Sequence, residues 1–522
     1  MILLVCAAAF GNTLWCGFVS DDYEQVVKNP WLRDFGHLRE IFTTNAWAME
    51  GKLLNFYRPL MHVFYLLTFQ VFGLAPWGFH LVNLLFHAGV SVLVFLVTAR
   101  LLDVHRPGRA HTLPALAAAV LFAVHPIHTE SVAWIGDITD LSYSLFYLTA
   151  FYLYVSYTGR DRQGAGLLAA SALSFFAAAL CKETALTLPL IILAYDVLSP
   201  RGLNPITRRT LYTYIPFAAA VAIYFALRFN ALGGVTPVRY YEGLGAYGYM
   251  LNVIELFGRY VTKLLLPVNL NAYYVFHPVH SITEPVVLVS IAILSALVAF
   301  AVMHRRDRPM LLGLAFFVLP LLPAFYIYGI GVSVFAERYL YLPVFGAVLI
   351  LAAALDRLID RPAQFRAALA LLCAVAAVYT VMSVDRNRVW VDNKTLWTDA
   401  VAKAPDAAIP HYNLGLIYTE EGRHDKAVEH LKAAVAARPD YVEAHTNLAA
   451  AYAMSGMLDD AIREGRAALA LDPTHYKAWY NLGMDLTDKG EHAEAANAFM
   501  KAAEFGPDDP EFRKLLERAR GR

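Results

Sequence analysis

The chain has 522 residues, of which 58% are hydrophobic and 16% are charged. Soluble domains have roughly 45–50% apolar and about 25% charged residues, so this composition argues against a purely soluble protein. Lysine plus arginine and aspartate plus glutamate number 43 each, and a net charge of zero gives no indication of nucleic-acid binding. The four cysteines lie in apolar runs without CxxC spacing, so neither a zinc site nor a disulfide framework is predicted.

Apolar segments of membrane-spanning length recur up to residue 384. A helix needs roughly 20 apolar residues to cross the hydrocarbon core of a bilayer. Eleven spans are predicted, at 2–19, 79–99, 112–127, 141–157, 165–181, 184–198, 211–228, 285–303, 310–329, 339–356 and 367–384. The first has an alternative interpretation as a cleaved signal peptide, because small residues lie at 7–9, although it has no basic region before it.

The distribution of arginine predicts the orientation of these spans. Segments 58–74 and 248–267 are apolar but carry Arg58, Glu255, Arg259 and Lys263, so they are predicted to be interfacial helices on the external side. The N-terminus then lies in the cytoplasm, as do five arginine-bearing connections, at 100–111, 158–164, 199–210, 304–309 and 357–366. The predicted membrane domain is 1–384, with a first external loop at 20–78.

The segment 385–522 repeats with a period of 34 residues and is predicted to be external. The repeated columns are Asn413, Asn447 and Asn481; Leu414, Leu448 and Leu482; Gly422, Gly456 and Gly490; Ala427, Ala461 and Ala495; and Pro439, Pro473 and Pro507. Thirty-four is the period of the tetratricopeptide repeat, a helix–turn–helix unit. Full repeats are predicted at 406–439, 440–473 and 474–507, a half repeat at 393–405 and a capping helix at 508–522.

Ionisable side chains of the membrane domain concentrate at the external ends of the predicted spans. They are Asp21, Asp22, Glu24, Arg58, His125, His128, Glu130, Asp137, Asp140, Lys182, Glu183, Glu337 and Arg338. Carboxylates beside cations there are typical of a site where an anionic, lipid-borne group meets a nucleophile that must lose a proton. The alternative is ordinary loop residues and ion pairs, with Glu183 beside Lys182 and Glu337 beside Arg338 as the nearest partners.

Five motifs precede the repeats in order: FVSDDY; YRPL with GFHLVNLLFHA; HPIHTESVAWIGDITDL; CKETALTLPLIILAYD; and AERYLYLP. Together they resemble the transmembrane-and-tetratricopeptide-repeat O-mannosyltransferases and their bacterial relatives, which are GT-C glycosyltransferases. The resemblance implies an all-α protein, a polytopic bundle of about eleven spans followed by an α-solenoid of tetratricopeptide repeats. It also implies an inverting enzyme that moves a sugar, mannose, from a polyprenyl-phosphate or dolichyl-phosphate carrier to a Ser or Thr hydroxyl of an external protein.

The resemblance assigns roles by position. Asp21 and Asp22 match the acidic pair of the first loop, one of them the general base on the acceptor hydroxyl, and Asp22 is favoured. The candidates for binding the donor phosphate and sugar are Lys182, Arg58, Arg338, His125, His128 and Glu130. The repeats would present the protein acceptor, with Asn413, Asn447 and Asn481 as acceptor-binding residues. His125, His128 and Glu130 are residue types that can bind a metal, but their spacing is weak evidence, so no metal site is predicted; family members differ in metal dependence.

Two other classes of protein fit parts of the pattern. A membrane-anchored scaffold for envelope assembly would use the repeats without catalysis, but an anchor needs only one helix. A transporter would place ionisable residues near the midplane in paired inverted repeats, and no internal symmetry is visible in the membrane domain. The Ala-rich helices and small loops predict a bacterial inner-membrane protein with periplasmic repeats, or repeats in the endoplasmic reticulum lumen in a eukaryote.

Overall fold

The structure is a computed structural model that describes residues 1–52, 54–159, 164–199, 208–234, 243–329 and 333–506. Every regular element in these ranges is helical, which confirms the predicted all-α class. By its internal contacts the chain divides into two compact units. The first comprises Met1–Ala272 and Phe276–Asn393, and the second Tyr273–Val275 and Lys394–Arg522.

The first unit contains fifteen described α-helices, with several short 3-10 segments and one π-helical turn, Tyr23–Val27, between them. They are α1 Ile2–Phe10, α2 Leu38–Thr43, α3 Pro59–Phe72, α4 Pro76–His105, α5 Thr112–Val124, α6 Thr129–Ala133, α7 Ile138–Thr158, α8 Ala165–Cys181, α9 Leu188–Leu198, α10 Arg208–Leu232, α11 Ala246–Leu265, α12 Pro285–Met303, α13 Arg308–Val318, α14 Pro343–Asp356 and α15 Pro362–Asn387.

Several of these helices are long and apolar enough to cross a membrane, as a multi-pass protein requires. Within the described ranges there are five, at Pro76–His105, Leu211–Leu232, Pro285–Met303, Arg308–Phe325 and Pro362–Trp390. A sixth is counted if α5 and the segment Pro126–Ala133, bent by 47°, form one broken span. The predicted number of eleven is therefore not confirmed. The predicted interfacial segments form α3 and α11, and neither is among these spans.

Local breaks explain why several predicted spans yield shorter helices. The segment 112–127 is interrupted because Pro126 cannot donate a backbone hydrogen bond, and the residue before a proline avoids the α region. His125 accordingly has ψ 125° and ends α5. The segment 184–198 begins with a 3-10 helix, Glu183–Thr187, before Pro189 opens the 11-residue α9. In the segment 2–19, α1 ends at Phe10 and a 3-10 helix continues only to Trp15.

Small residues let two helices of the first unit approach closely. Gly313 of α13 and Gly346 of α14 face one another, and a Cβ on Gly313 would lie 2.8 Å from the Gly346 carbonyl oxygen. A Cβ on Gly346 would meet the backbone of α13 at Phe316 and Phe317. A side chain at either position would therefore separate the helices. This close contact sets the position of α13 relative to α14, and with it the position of the residues after α13 that line the site described below.

The second unit is a series of antiparallel helix pairs. Its helices are α16 Asn393–Lys403, α17 Ala408–Glu420, α18 His424–Ala437, α19 Val442–Met454, α20 Leu458–Leu471, α21 Tyr476–Lys489 and α22 His492–Phe505. One of these helices, α16, lies in the segment 393–405, and two lie in each of the segments 406–439, 440–473 and 474–507. The predicted capping helix 508–522 and Pro507 lie outside the described residues.

The 34-residue columns have direct structural reasons. Gly422, Gly456 and Gly490 each follow the first helix of a repeat with φ of +70°, +76° and +85°, a conformation that glycine adopts without steric cost. The repeated alanines and leucines are buried between the paired helices, with Ala427 and Ala461 fully inaccessible. Each repeat therefore buries its apolar face against its neighbours, as an α-solenoid does.

Candidate active site

Asp22 ties the first loop to the chain that precedes α7. Its carboxylate accepts hydrogen bonds from the backbone N–H of Val19, at 2.9 Å, and of Gly136, at 2.7 Å. The side chain is fully buried. Burial raises the pKa of Asp22 well above its usual range, against the opposing effect of these two amide hydrogen bonds. Both carboxylate oxygens are thus engaged with the backbone.

Asp21 has a different environment from its neighbour. It is half-buried and lines a cavity of about 270 Å³, which we call the aspartate cavity. Burial raises the pKa of Asp21, and the positive charge of Arg338 opposes this rise. Asp137 lines the same cavity, and burial together with the adjacent Asp140 carboxylate raises its pKa well above the usual range. The aspartate cavity therefore has two acidic groups on its wall.

Arg58, Lys182 and Arg338 also line the aspartate cavity. Arg58 lies at the start of α3, Lys182 follows α8, and Arg338 belongs to the 3-10 segment Glu337–Leu340 before α14. The structure thus brings three of the predicted phosphate-binding cations to one cavity wall together with Asp21. These four residues come from four separate segments of the chain.

Each of the three cations is paired with a carboxylate, and the partner of Arg58 is Glu183. Lys182 forms a buried ion pair with Asp140. Arg338 binds Glu130 through its guanidinium and also through its backbone N–H, at 2.9 Å. The adjacent residues Glu183 and Glu337 are therefore not the partners of Lys182 and Arg338: Glu337 instead accepts a hydrogen bond from the Asn271 N–H, at 2.6 Å.

Aromatic rings complete the surroundings of these cations. The Arg338 guanidinium lies 5.5 Å from the centre of the Trp134 ring and 5.1 Å from that of Tyr339. The Lys182 ammonium also lies 5.1 Å from the Tyr339 ring. Cations are attracted to aromatic faces, so Trp134 and Tyr339 help to hold the charged groups at the cavity wall.

A second cavity, of about 240 Å³, adjoins the first. It contains Glu183 on its wall, so we call it the glutamate cavity, and it shares Phe56, Arg58, Lys182 and Tyr339 with the aspartate cavity. Its remaining wall includes the prolines Pro320 and Pro323 from the end of the α13 span. The two cavities therefore meet at a pair of cations, Arg58 and Lys182.

Arg228 belongs to this site although sequence analysis did not select it. Glu183 accepts hydrogen bonds from Arg58 at 3.1 Å and from Arg228 at 3.0 Å. Burial alone would raise the pKa of Glu183, but the two guanidinium groups lower it to about 2. Arg228 lies within α10 among apolar residues and outside the motifs. The one feature of the sequence that could have indicated a functional role is its position inside a predicted membrane span, where a charged residue is costly.

The remaining predicted donor-binding residues lie behind the cavity walls. His125 caps the segment Pro126–His128 and contacts the Leu264 carbonyl oxygen at 3.1 Å. His128 is fully buried among aromatic rings, with the Phe122 and Tyr341 ring centres at 4.5 and 4.6 Å. Neither they nor Glu130 line the two cavities. In the described part of the chain, no group of three or more His, Cys, Asp or Glu residues has a metal-binding arrangement.

The three predicted acceptor-binding asparagines occupy equivalent positions in the second unit. Asn413, Asn447 and Asn481 lie on the first helix of each repeat and are half-buried. Asn413 donates a hydrogen bond to the Ile409 carbonyl at 2.9 Å, and Asn447 donates to the Glu443 carbonyl at 2.8 Å and to the Tyr412 hydroxyl of the preceding repeat at 3.1 Å. Their role in binding an acceptor remains a prediction.

The helices and cavities define a multi-pass membrane protein that carries tetratricopeptide repeats and a cavity lined by acids and cations. Family comparison supports the second unit directly: the family described as TPR repeat matches residues 415–456, and the family described as tetratricopeptide repeat matches residues 456–519.

Curated relatives match most of the chain. The mouse (Mus musculus) Protein O-mannosyl-transferase TMTC3 is 26% identical over 477 residues, which cover 83% of this chain and 50% of the relative. Human (Homo sapiens) TMTC4 is 27% identical, with 82% and 64% covered, and Drosophila melanogaster Tmtc1 is 27% identical, with 80% and 58% covered. The resemblance to these O-mannosyltransferases, predicted from the sequence motifs, is thereby confirmed. The chain spans about half the length of the first of them.

Solved structures of repeat proteins are also similar to part of the chain. The first TPR of Spaghetti (RPAP3) is 23% identical with a TM-score of 0.21, covering 22% of this chain and 90% of that chain. A crystal structure of MamA is 25% identical with a TM-score of 0.23, covering 24% and 74%.

Proposed function

We propose that the protein is a membrane O-mannosyltransferase that transfers mannose from a polyprenyl-phosphate carrier to a Ser or Thr hydroxyl of a protein. One observation carries this proposal: Asp21 lines the same cavity as Arg58, Lys182 and Arg338. A cluster of cations suits a lipid-borne phosphate, and a carboxylate beside them suits a hydroxyl that must lose a proton. The names of the curated relatives agree with this chemistry.

In this proposal the three cations hold the phosphate of the donor. During transfer the bond between the anomeric carbon and the phosphate oxygen breaks, and negative charge accumulates on the polyprenyl phosphate that leaves. Fixed positive groups stabilise such charge as it develops. Lys182 and Arg58, which lie where the two cavities meet, are the best placed for this role, while Trp134 and Tyr339 offer apolar faces to a sugar ring.

The acceptor hydroxyl attacks the anomeric carbon from the side opposite the leaving phosphate, so the configuration inverts. Its proton passes to a carboxylate. Asp22 was favoured as this base from the sequence, but its two oxygens are occupied by the amides of Val19 and Gly136. Asp21 lines the cavity, and its raised pKa makes its ionised carboxylate a better proton acceptor than an ordinary aspartate. We therefore propose Asp21 as the base and Asp22 as the residue that positions its loop.

Glu130, His125 and His128 act from behind the wall in this scheme. Glu130 orients Arg338 through two contacts, and the histidines pack beneath the same segment. The repeats present the protein acceptor, with Asn413, Asn447 and Asn481 on equivalent helices. We also propose an external location for the site and for the repeats, which is the periplasm in a bacterium or the endoplasmic reticulum lumen in a eukaryote.

The test is transfer of labelled mannose from polyprenyl-phosphate mannose to protein in membranes that contain the full chain. Asp21→Asn is expected to reduce the rate by about 10²–10⁴-fold, the usual contribution of a general base. Asp22→Asn is expected to reduce the rate by a smaller factor, because it acts only by disordering the loop that holds Asp21. Asp34→Asn serves as the matched control, because Asp34 is an exposed residue of the same loop. Its carboxylate accepts a hydrogen bond from the Gly36 N–H.

Three further arms separate the parts of the proposal. A chain ending at residue 392 tests whether the repeats select the acceptor, and the triple substitution of Asn413, Asn447 and Asn481 by alanine tests the predicted contacts. Transfer in the presence of EDTA tests dependence on a divalent cation. Absence of transfer from every lipid-linked sugar, in folded wild-type protein, would favour the alternative function as a membrane-anchored scaffold.

A further inference from the structure

A basic pocket lies where three helix connections meet. It has a volume of about 740 Å³, and we call it the arginine pocket. Its charged wall consists of five arginines and two aspartates: Arg106, Arg109, Arg306, Arg308 and Arg357, with Asp307 and Asp360. The wall therefore has a formal excess of three positive charges, and Asp356, which pairs with Arg106 from behind, lowers the excess to two. His105 and His304 are further basic groups there.

Two buried aspartates build the floor of the arginine pocket. Arg106 donates to Asp356 at 2.7 Å and to Asp307 at 2.5 Å. Asp356 is fully buried and also contacts His111 at 2.7 Å. Asp307 in addition caps α13 by accepting the Met310 N–H. This network joins the C-terminal ends of α4 and α14 to the N-terminal end of α13, so the pocket is a fixed feature of the fold.

Arg306 and Arg308 do not take part in this network of ion pairs. Both are exposed, and within the described ranges neither side chain forms a hydrogen bond or ion pair. Arg109 is paired with Asp360 at the surface, and exposed pairs of this kind contribute little stability and exchange readily. The pocket thus offers guanidinium groups that have no anion of their own, and guanidinium groups bind phosphate oxygens well.

An apolar groove begins at the same turn. It has a volume of about 620 Å³ and is lined by α12 residues such as Leu294, Val298 and Ala301, together with residues of α11 and α13. Arg305 lies on its wall, and Val302 of the groove directly precedes Met303 of the arginine pocket. A cationic pocket and an apolar groove that meet at one helix turn match the two parts of a phospholipid.

We propose that the arginine pocket and the apolar groove together bind an anionic phospholipid. The phosphate of its headgroup lies against Arg306 and Arg308, and an acyl chain follows α12 along the groove. Basic pockets between helix ends at a membrane surface are a known way to bind such headgroups. The lipid is distinct from a sugar donor at Lys182, because Arg308 and Pro323 lie at opposite ends of the α13 span, about 20 Å apart at 1.5 Å rise per residue.

The test measures lipid binding by the full chain in neutral detergent, with native mass spectrometry. Phosphatidylglycerol is the probe, phosphatidylcholine the neutral lipid, and glycerol phosphate the free headgroup. The variant Arg306→Gln/Arg308→Gln is compared with Arg361→Gln/Arg366→Gln, which removes the same charge from exposed arginines of the next connection and α15. The first variant is expected to bind phosphatidylglycerol about tenfold or more weakly than wild type and the control.

A second variant tests the groove without changing any charge. Ala301→Trp adds a bulky side chain to the wall of the groove, and it is expected to weaken phosphatidylglycerol binding while thermal unfolding shows the protein to be folded. Equal loss in the two double-arginine variants would overturn the proposal, because it would show only general surface attraction. Binding of phosphatidylcholine as strong as that of phosphatidylglycerol, or equal competition by glycerol phosphate, would also overturn it.

Discussion

Glu183 and Arg228 are joined by a hydrogen bond of 3.0 Å between Oε1 and Nη1. They are 45 residues apart in the chain, and Arg58 binds the other oxygen of the same carboxylate at 3.1 Å. Glu183 therefore connects the start of α3 to α10 at the wall of the glutamate cavity. Because Arg58 also faces the aspartate cavity, this carboxylate sets the position of a cation on which the proposed function depends.

Replacement of Glu183 by glutamine is expected to destabilise the first unit. It leaves two guanidinium groups without their anion, and because the site is partly exposed we expect a loss of about 2 kcal/mol, below the cost of breaking a fully buried pair. Thermal unfolding of the detergent-solubilised chain measures this loss. The control is Glu24→Gln, which breaks a surface pair with Lys28 and is expected to cost under about 1 kcal/mol.

The same carboxylate predicts a dependence of stability on pH. The pKa of Glu183 is lowered to about 2 from an ordinary value of 4.5. A group with a lowered folded-state pKa contributes its stability above the unfolded value and loses it as the pH falls toward the folded value. The difference in melting temperature between wild type and Glu183→Gln is therefore expected to shrink between pH 5 and pH 3. A constant difference would contradict the ion-pair explanation.

Arg338→Lys is expected to lower the transferase activity proposed for the protein. Lysine keeps the charge but loses the planar group that binds Glu130 and faces the Trp134 and Tyr339 rings. We expect a fall of about tenfold in kcat/KM, equivalent to about 1.4 kcal/mol. Arg33→Lys is the control, since Arg33 faces the Phe69 ring away from both cavities. An unchanged kcat/KM in Arg338→Lys would contradict the proposed role of Arg338 in binding the donor.

Gly346→Ala is expected to destabilise the packing of α13 against α14. The added Cβ would meet backbone atoms of α13, which cannot move aside as a flexible side chain does. Overpacking of this kind costs about 1–3 kcal/mol. Gly166→Ala is the matched control, because a Cβ there has no atom within 4 Å, and alanine favours a helix. Thermal unfolding that ranks the two variants in the opposite order would refute the close helix contact.

Acidification is expected to loosen the first tetratricopeptide repeat. His411 and His430 face one another with Nδ1 atoms 3.0 Å apart, and burial together with the His411 charge lowers the pKa of His430. The folded state therefore binds fewer protons than the unfolded state below pH 6.5, so stability falls as the pH decreases through that range. Hydrogen exchange of the repeats in the full chain at pH 7.5 and 5.5 measures the change.

The second repeat provides the control for this prediction. It has Glu464 where the first has His430, and His445 contacts that carboxylate at 2.8 Å. His430→Glu is therefore expected to abolish the loss of protection at pH 5.5 or to reverse it, because it removes the histidine whose pKa is lowered and gives His411 a carboxylate partner. If the variant and wild type respond equally to acid, the histidine pair is not the cause.

Sequence alone predicted the repeats and the residues at the cavity wall, because both depend on local patterns. A 34-residue period places a glycine at each turn with positive φ, and short motifs contain Asp21, Arg58, Lys182 and Arg338. Composition also predicted a multi-pass helical protein. It did not give the number of spans that qualify by length, because local breaks such as that before Pro126 shorten helices that are apolar on average.

Only the tertiary structure decided which charges face one another. Glu130 and Arg338 are 208 residues apart, and Asp140 and Lys182 are 42 apart. Neither separation matches a helical period, and neither pair lies within one sequence motif. The sequence therefore suggested Glu183 and Glu337 as partners because they are adjacent in the chain. Glu337 and Arg338 lie in one 3-10 segment, where three residues make a turn and adjacent side chains project about 120° apart, whereas a partner on another helix can face the cation directly. Burial of Asp22 against two backbone amides was likewise beyond prediction, because it requires the loop to pack on the chain before α7.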